Sequence, residues 1–398
     1  MNVLAVLHYP VFGGPPNRIL RLRGPLAERG VHLTVAITDQ EGNAAERFRS
    51  GGVPLERVRL RRLRRSWNPI HHVLLLLGLP GDVKRLRDVI RRLDIDVVLL
   101  TGLANPHGAI AADREGRAVL WQIVDTVVPT TGRRVLMPFV TRLADTVMFW
   151  GEAVERLHTN GRTLGMPTLL GNSPVDLTRF VPSRDRAART RAELGIPAGA
   201  HVVGTVANLN PQKGLEYFIR AAARITASGS DAWFVVVGGR YETHRAYARK
   251  LEAEVRSSNM SERFRFVGAV ANVEDYYAAM DVKLITSIPG SEGIPTTALE
   301  AMACGVPVVT TDVGSAREAV LDGVTGYVVP PLDDDAMAAA TVRLLSDPAL
   351  RATLGDRGRR RAEEHYGIEP CVEAHLRALA AAIEHRRNRG RIARSAGV

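Results

Sequence analysis

Two glutamates, Glu292 and Glu300, stand with seven residues between them inside SIPGSEGIPTTALEAMACGVPVVTTDVGSAREAVLDGVTGYVVP, residues 287–330. A carboxylate accepts hydrogen bonds in pairs, so both suit the hydroxyls of a sugar or a ribose. Between them a short helix is expected to begin. Pro295 falls where a first helical residue would, because its fixed φ suits that place and its missing N–H costs nothing there. Apolar Ala298, Leu299, Met302 and Ala303 follow, and Gly305 with Pro307 stops the helix. Free N–H groups and the helix dipole make such a start a site for anions, phosphate above all. Gly293, Ile294, Pro295, Thr296 and Thr297 at this entry are therefore candidate binding residues. The competing reading is a surface loop with two solvated glutamates.

The other candidates lie at strand ends. Lys213 is one of only four lysines, with Lys84, Lys250 and Lys283, and it follows the strand-like Val202 to Val206. It can place a positive charge at a ligand, or be an ordinary turn lysine. Gly13 and Gly14 follow the first strand and permit close backbone approach to a ligand. His107 and Asp125 sit after expected strands, and the carboxyl ends of parallel strands face the ligand crevice in open α/β sheets. Neither GxGxxG nor a cysteine spacing for metal is present; Cys304 and Cys371 are the only cysteines.

The elements that must position these residues alternate. Strand Asn2 to Leu7, helix Asn17 to Arg29 and strand Val31 to Ile37 open a Rossmann-like unit. Thr101 to Gly108 and the turn-rich Pro167 to Pro182 read as loops, and Gly81 to Leu93 as a helix of its own. A second alternation starts at Val202, and two helices close the chain before a tail from Arg389 that is expected to be disordered. The expected fold class is α/β, with two Rossmann-like domains facing a central cleft. Residues 1–172 form the first and residues 173–370 the second, with residues 371–398 a helix packing back on the first and then a tail.

At 398 residues, 45% hydrophobic and 24% charged, the composition is that of a soluble globular chain of two domains. No run reaches the length of a membrane-spanning helix, and Val3 to Leu7 is too short for a signal peptide. Few cysteines fit a reducing cytosol. The net charge of +11 favours an anionic partner or reflects an arginine-rich coding bias. Nucleic acid is not expected, since aromatic residues do not interleave with the basic ones. Arg57 to Leu79, basic and then apolar, could dock on an anionic membrane surface or form an ordinary strand and core helix.

Taken together, the Glu292–Glu300 pair and the Ala301-Met302-Ala303, Gly305-Val306-Pro307 run resemble the retaining glycosyltransferases of family four, which have the GT-B fold. Gly13-Gly14 looks like that family's N-terminal glycine loop, Asn172 to Phe180 like its inter-domain signature, and Asn208 to Gly214 like its phosphate loop. The resemblance implies a nucleotide-diphosphate sugar as donor, no obligatory metal and no cofactor. It implies Glu292 on the donor hexose, Glu300 on the ribose, and Val267-Gly268 holding the base through backbone groups. It also implies same-face substitution, in which the departing phosphate helps deprotonate an acceptor that could be a glycan, a lipid-linked sugar or a small molecule. Its location would be the cytoplasm or the inner face of the plasma membrane. Two positions depart from the family pattern. Asn208 stands where an arginine partners the lysine, so either Arg240 or Arg18 is expected to reach in instead or the donor is handled differently. Asp125 stands where a histidine ends the fifth strand, and could bind a sugar hydroxyl or act as a base. The alternatives are an epimerase or phosphorylase of the same fold, or a non-catalytic nucleotide-sugar-binding protein. A hydrolase pair of carboxylates is disfavoured because Glu300 lies within the helix.

Overall fold

The computed structural model describes residues 1–61, 69–124, 126 and 128–395, with the backbone alone for 69–76 and 392–395. They divide into two compact units, Met1–Pro174 with the segment from Ile368, and Val175–Gly367. Both are α/β with parallel sheets, the fold class expected.

In the first unit the strands are β1 (Asn2–Leu7), β2 (His32–Thr38), β3 (Leu55–Val58), β4 (Val97–Thr101), β5 (Ala118–Ile123), β6 (Thr146–Phe149) and β7 (Thr168–Leu170). They lie in the order β3-β2-β1-β4-β5-β6-β7, paired in parallel throughout. Runs such as Val3 to Val6 and Val97 to Leu100 are buried, which follows when helices cover both faces of a sheet. The strand order reverses between β1 and β4, so the ends of those two strands flank a switch point.

In the second unit β8 (Val202–Val206), β9 (Trp233–Val237), β10 (Phe264–Gly268), β11 (Val282–Ile285), β12 (Val308–Thr311) and β13 (Gly326–Val329) take the order β10-β9-β8-β11-β12-β13. All are parallel, and the reversal falls between β8 and β11. Phe218, Phe234 and Phe264 meet beneath β9 and β10 with ring centroids 5.8 to 6.4 Å apart.

Four local expectations are corrected. Gly81 to Leu93 is not a separate helix: one helix runs Pro69–Arg92 through Pro80 and Gly81. Thr101 to Gly108 is not all loop, since the helix Pro106–Arg114 begins there with Pro106 in its first turn. Pro167 to Pro182 contains the short strand β7. The tail from Arg389 is helical as far as Ser395, the end of a helix from Ile368 that is pinned to the first unit. Arg386 bonds Asp113 at 2.8 Å and Arg389 bonds Asp145 at 3.3 Å. Of the Arg57 to Leu79 patch, residues 62–68 lie outside the described residues. Arg57 is exposed, Leu60 is buried and Leu77 is 74% exposed. No helix among the described residues is long and apolar enough to cross a membrane.

Candidate functional site

The second unit gathers its candidate residues at the carboxyl ends of β8 and β11, the switch point of its sheet. After β8 the chain makes the turn Pro211–Lys213. Asn210 caps this turn, its side chain accepting from the Gln212 N–H at 2.8 Å. Gly214 leaves the turn at φ 56°, a left-handed conformation that glycine adopts without strain. A Cβ there would lie 2.2 Å from the Thr286 carbonyl oxygen, so glycine is also required by close packing. Thr286 Oγ1 donates to the Lys213 carbonyl at 2.9 Å, and the Ile288 N–H donates to Gln212 at 3.2 Å. The Lys213 turn is thus fastened to the chain leaving β11.

That chain carries Glu292. Lys213 Nζ donates to Glu292 Oε1 at 2.5 Å, and Ser287 Oγ donates to the same oxygen at 2.6 Å. The lysine side chain is 30% exposed and the carboxylate 14%, so the pair is partly desolvated and open on one side. The backbone behind it is held by Gly314, at φ 59°, where an added Cβ would lie 2.3 Å from the Glu292 carbonyl oxygen. Ser315 N–H donates to the Gly293 carbonyl at 3.0 Å. Gly314→Ala forces both a strained φ and a backbone clash. We expect it to cost about 2 kcal/mol or more of stability, read as a lowered denaturation midpoint; an unchanged midpoint would show that the loop yields freely.

The helix after Glu292 is Thr296–Ala303, with Pro295 as its N-cap at φ −71° and ψ 99°. This corrects the expectation that Pro295 is the first helical residue: its extended ψ places the helix start one residue later. Ile294 and Pro295 are buried while Thr296 and Thr297 are half-buried, so the first turn reaches the surface. Glu300 accepts from Tyr277 Oη at 3.0 Å, and Tyr277 is fully buried against Phe180 with ring centroids 5.9 Å apart. Cys304, just past the helix, is pushed up to about 12 by burial, with Glu300 adding to the effect, and so is held as a thiol.

Asn208 is tied up by its neighbours. It accepts from the Gly239 N–H at 3.0 Å and donates to Tyr241 Oη at 2.8 Å. The adjoining Arg240 is exposed and bonds Glu252 at 2.6 Å. Val267 and Gly268 end β10, where the Gly268 carbonyl accepts from the Gly238 N–H at 2.9 Å and Gly268 takes φ 88°.

The remaining candidates belong to the first unit. Gly13 is the N-cap of the helix Gly14–Glu28, and a Cβ at Gly13 or Gly14 would meet nothing within 4 Å among the described residues. Arg18, expected to reach toward a phosphate, is instead buried at 5% exposure. Its guanidinium lies 3.9 Å over the Trp150 ring and donates to Gln122 at 2.7 Å. Burial lowers its pKa to about 10. His107 is on a helix, 2% exposed, with Nε2 3.8 Å from Asp82. Burial holds it below the usual histidine range although Asp82 opposes the shift. Asp125 lies outside the described residues.

Sequence reasoning missed Ser287, Thr286 and Tyr277. Ser287 could have been found from its place at the end of an apolar strand, five residues before Glu292. Tyr277 lies on a different helix and carries no spacing signal.

A family model described as glycosyl transferases group 1 matches residues 200–347, the part of the second unit just described. The GDP-mannose-dependent alpha-(1-6)-phosphatidylinositol monomannoside mannosyltransferase of Mycolicibacterium smegmatis is 33% identical over 319 residues, covering 74% of this chain and 79% of that protein. The lipopolysaccharide core biosynthesis mannosyltransferase LpcC of Rhizobium leguminosarum bv. viciae is 33% identical over 211 residues, 53% of this chain and 58% of LpcC. Across three curated relatives, LpcC among them, the chain spans 58 to 64% of the relative's length. Among solved structures, that of Alr3699/HepE from Anabaena in complex with UDP superposes with a TM-score of 0.83 at 21% identity, covering 96% of this chain and 100% of that one.

Proposed function

The chain belongs to the group 1 glycosyl transferases, and from that premise we propose that it moves a hexosyl group from a nucleotide-diphosphate sugar to an acceptor hydroxyl with retention of configuration. The observation that carries this reading is the Lys213–Glu292 pair at the strand-end switch point, 2.5 Å apart and open on one side. Breaking the anomeric C–O bond builds negative charge on the leaving diphosphate, and preorganised positive groups and N–H donors aimed at that charge are the main catalytic need. In this reading Lys213 meets the diphosphate, with backbone N–H groups of Thr296 and Thr297 beside it. Glu292, released by the lysine, takes the hexose hydroxyls, and Glu300 takes the ribose. Val267 and Gly268 hold the base, and within the first unit Gly13 and Gly14 permit close backbone approach of a ligand. Asp125 binds or deprotonates at the acceptor. The departing phosphate oxygen accepts the acceptor's proton as the new bond forms on the same face, so neither a protein nucleophile nor a metal is required.

The acceptor is a sugar or a lipid-linked sugar, reached in the cytoplasm at an anionic membrane face. The M. smegmatis and R. leguminosarum relatives, named for a phosphatidylinositol mannoside and a lipopolysaccharide core, support that class. Exposed Arg57 and Leu77 support peripheral contact.

The test is thermal unfolding with UDP, GDP, ADP and their hexoses, followed by product analysis with the sugar that binds. A nucleotide at about 100 times its Kd stabilises the native state by about 2.7 kcal/mol. GDP-mannose is the first to try, since the M. smegmatis relative depends on it. The expected product keeps the donor's anomeric configuration by NMR and forms only with acceptor present, and the protein co-sediments with anionic vesicles. Turnover without acceptor would replace this reading by an epimerase. Binding with no turnover on lipid and glycan acceptors would replace it by a nucleotide-sugar-binding protein.

A further inference from the structure

β11 carries a lysine at the centre of its sheet. Lys283 stands in register with Gly204 of β8 and Val308 of β12, and it is completely buried. Its amine donates to Thr205 Oγ1 at 3.0 Å and to the Leu284 carbonyl at 3.0 Å. Both acceptors are uncharged, and Lys283 makes no ion pair among the described residues. A neutral amine has two N–H donors and an ammonium has three. The two acceptors therefore match the neutral form and leave an ammonium with one N–H unpaired among the described residues, at a buried position where an unpaired charge is costly.

The charged groups that act on Lys283 are those of the proposed donor site. Burial lowers its pKa well below the ordinary lysine value, and the Lys213 ammonium lowers it further. Glu300 and Glu292 act in the opposite direction. A diphosphate placed on Lys213 cancels the repulsive charge and adds negative charge of its own, so the balance turns toward protonation.

We propose that Lys283 is a charge reservoir beneath the donor site, uncharged while Lys213 is paired with Glu292 alone and an ammonium once a diphosphate occupies Lys213. The inference rests on the donor-site reading given above. One proton passes from solvent to the Lys283 amine per diphosphate bound, and no other bond is made or broken. The charge gained stands in for the arginine absent at Asn208. Being fully buried, Lys283 touches no substrate and acts as a positioning residue, through the field it adds beneath Lys213.

The experiment uses the full chain with lysine labelled by 13C at Cε. Only four lysines contribute, and Lys84 and Lys250 are assigned from their arginine variants. At neutral pH three signals are expected at the ammonium position and one, lost in Lys283→Met, at the amine position. Saturating pyrophosphate, UDP or GDP moves that signal to the ammonium position. Calorimetry in buffers of different ionisation heat then records about one proton more taken up per ligand by the wild type than by Lys283→Met, any protons exchanged by the ligand itself being common to both. Four ammonium signals without ligand overturn the proposal. So does an amine signal that stays in place while the Lys213 signal reports bound nucleotide, and there the donor-site reading survives. If no lysine signal responds to any of the three probes, the donor-site reading fails and the coupling fails with it. Should Lys283→Met not fold, the wild-type titration alone decides between these outcomes.

Discussion

Lys213→Ala is expected to lower kcat/KM for the nucleotide sugar by about a hundred- to a thousandfold, the range seen when one donor to developing negative charge is removed. The nucleotide itself should bind more weakly, since the lysine meets the diphosphate in the ground state as well. The fold should survive. The turn that carries Lys213 is held by the Asn210 cap, by Gly214 and by Thr286, none of which uses the lysine side chain. Loss of the ion pair leaves Glu292 with Ser287 and partial access to water, a cost of about 1 kcal/mol for a pair this exposed. Lys213→Arg is not conservative: the guanidinium is a planar fork, where the site receives a point charge at the end of a flexible stem. It should recover nucleotide affinity better than rate. Steady-state kinetics with calorimetry on the same samples separates the two quantities, and an unchanged rate with an unchanged Kd would remove Lys213 from the site.

Much of this site was legible because its parts sit where glycine and proline punctuate the chain. Lys213 follows an apolar run and precedes Gly214, and Glu292 follows another and precedes Pro295, so both fall at strand ends without knowledge of the fold. Their contact was not legible, because 79 positions separate them and only the parallel register of β8 with β11 brings them together. Pro295 differs from expectation by one residue because a proline fits both the cap and the first turn, and only its ψ distinguishes them. Lys283 reads as a polar break in an apolar strand, and no periodicity says that its amine is buried. The helix Thr130–Leu143 carries little sequence signal: Gly132 and Pro138 interrupt its pattern, and its buried stripe is only Met137, Val140 and Leu143. Arg18 departs furthest from the expectation. An arginine one turn into a helix after a glycine loop has the look of an anion ligand, yet stacking on Trp150 and the bond to Gln122 hold it inside the first unit.

Glu292→Gln should act in the opposite sense on binding, and that contrast is what tests the division of labour within the pair. The amide keeps an oxygen for Ser287 and for Lys213 but carries no charge, so it no longer holds the ammonium electrostatically. Lys213 then meets an incoming diphosphate without first leaving a carboxylate 2.5 Å away. Free nucleotide is expected to bind several-fold more tightly, consistent with the modest worth of a partly exposed ion pair. Turnover of the nucleotide sugar should fall about ten- to a hundredfold, because a hydrogen bond from a hexose hydroxyl to a carboxylate is worth about 1.5 to 3 kcal/mol and the uncharged amide replaces it only in part. Tighter nucleotide with slower transfer cannot arise from general disruption, which weakens both. The double variant Lys213→Ala, Glu292→Gln should be less impaired than the product of the single effects, since each removes a partner of the other and residues in contact are not additive. Full additivity across that cycle would mean that the pair between the two strand ends is not formed in the free enzyme that meets the donor.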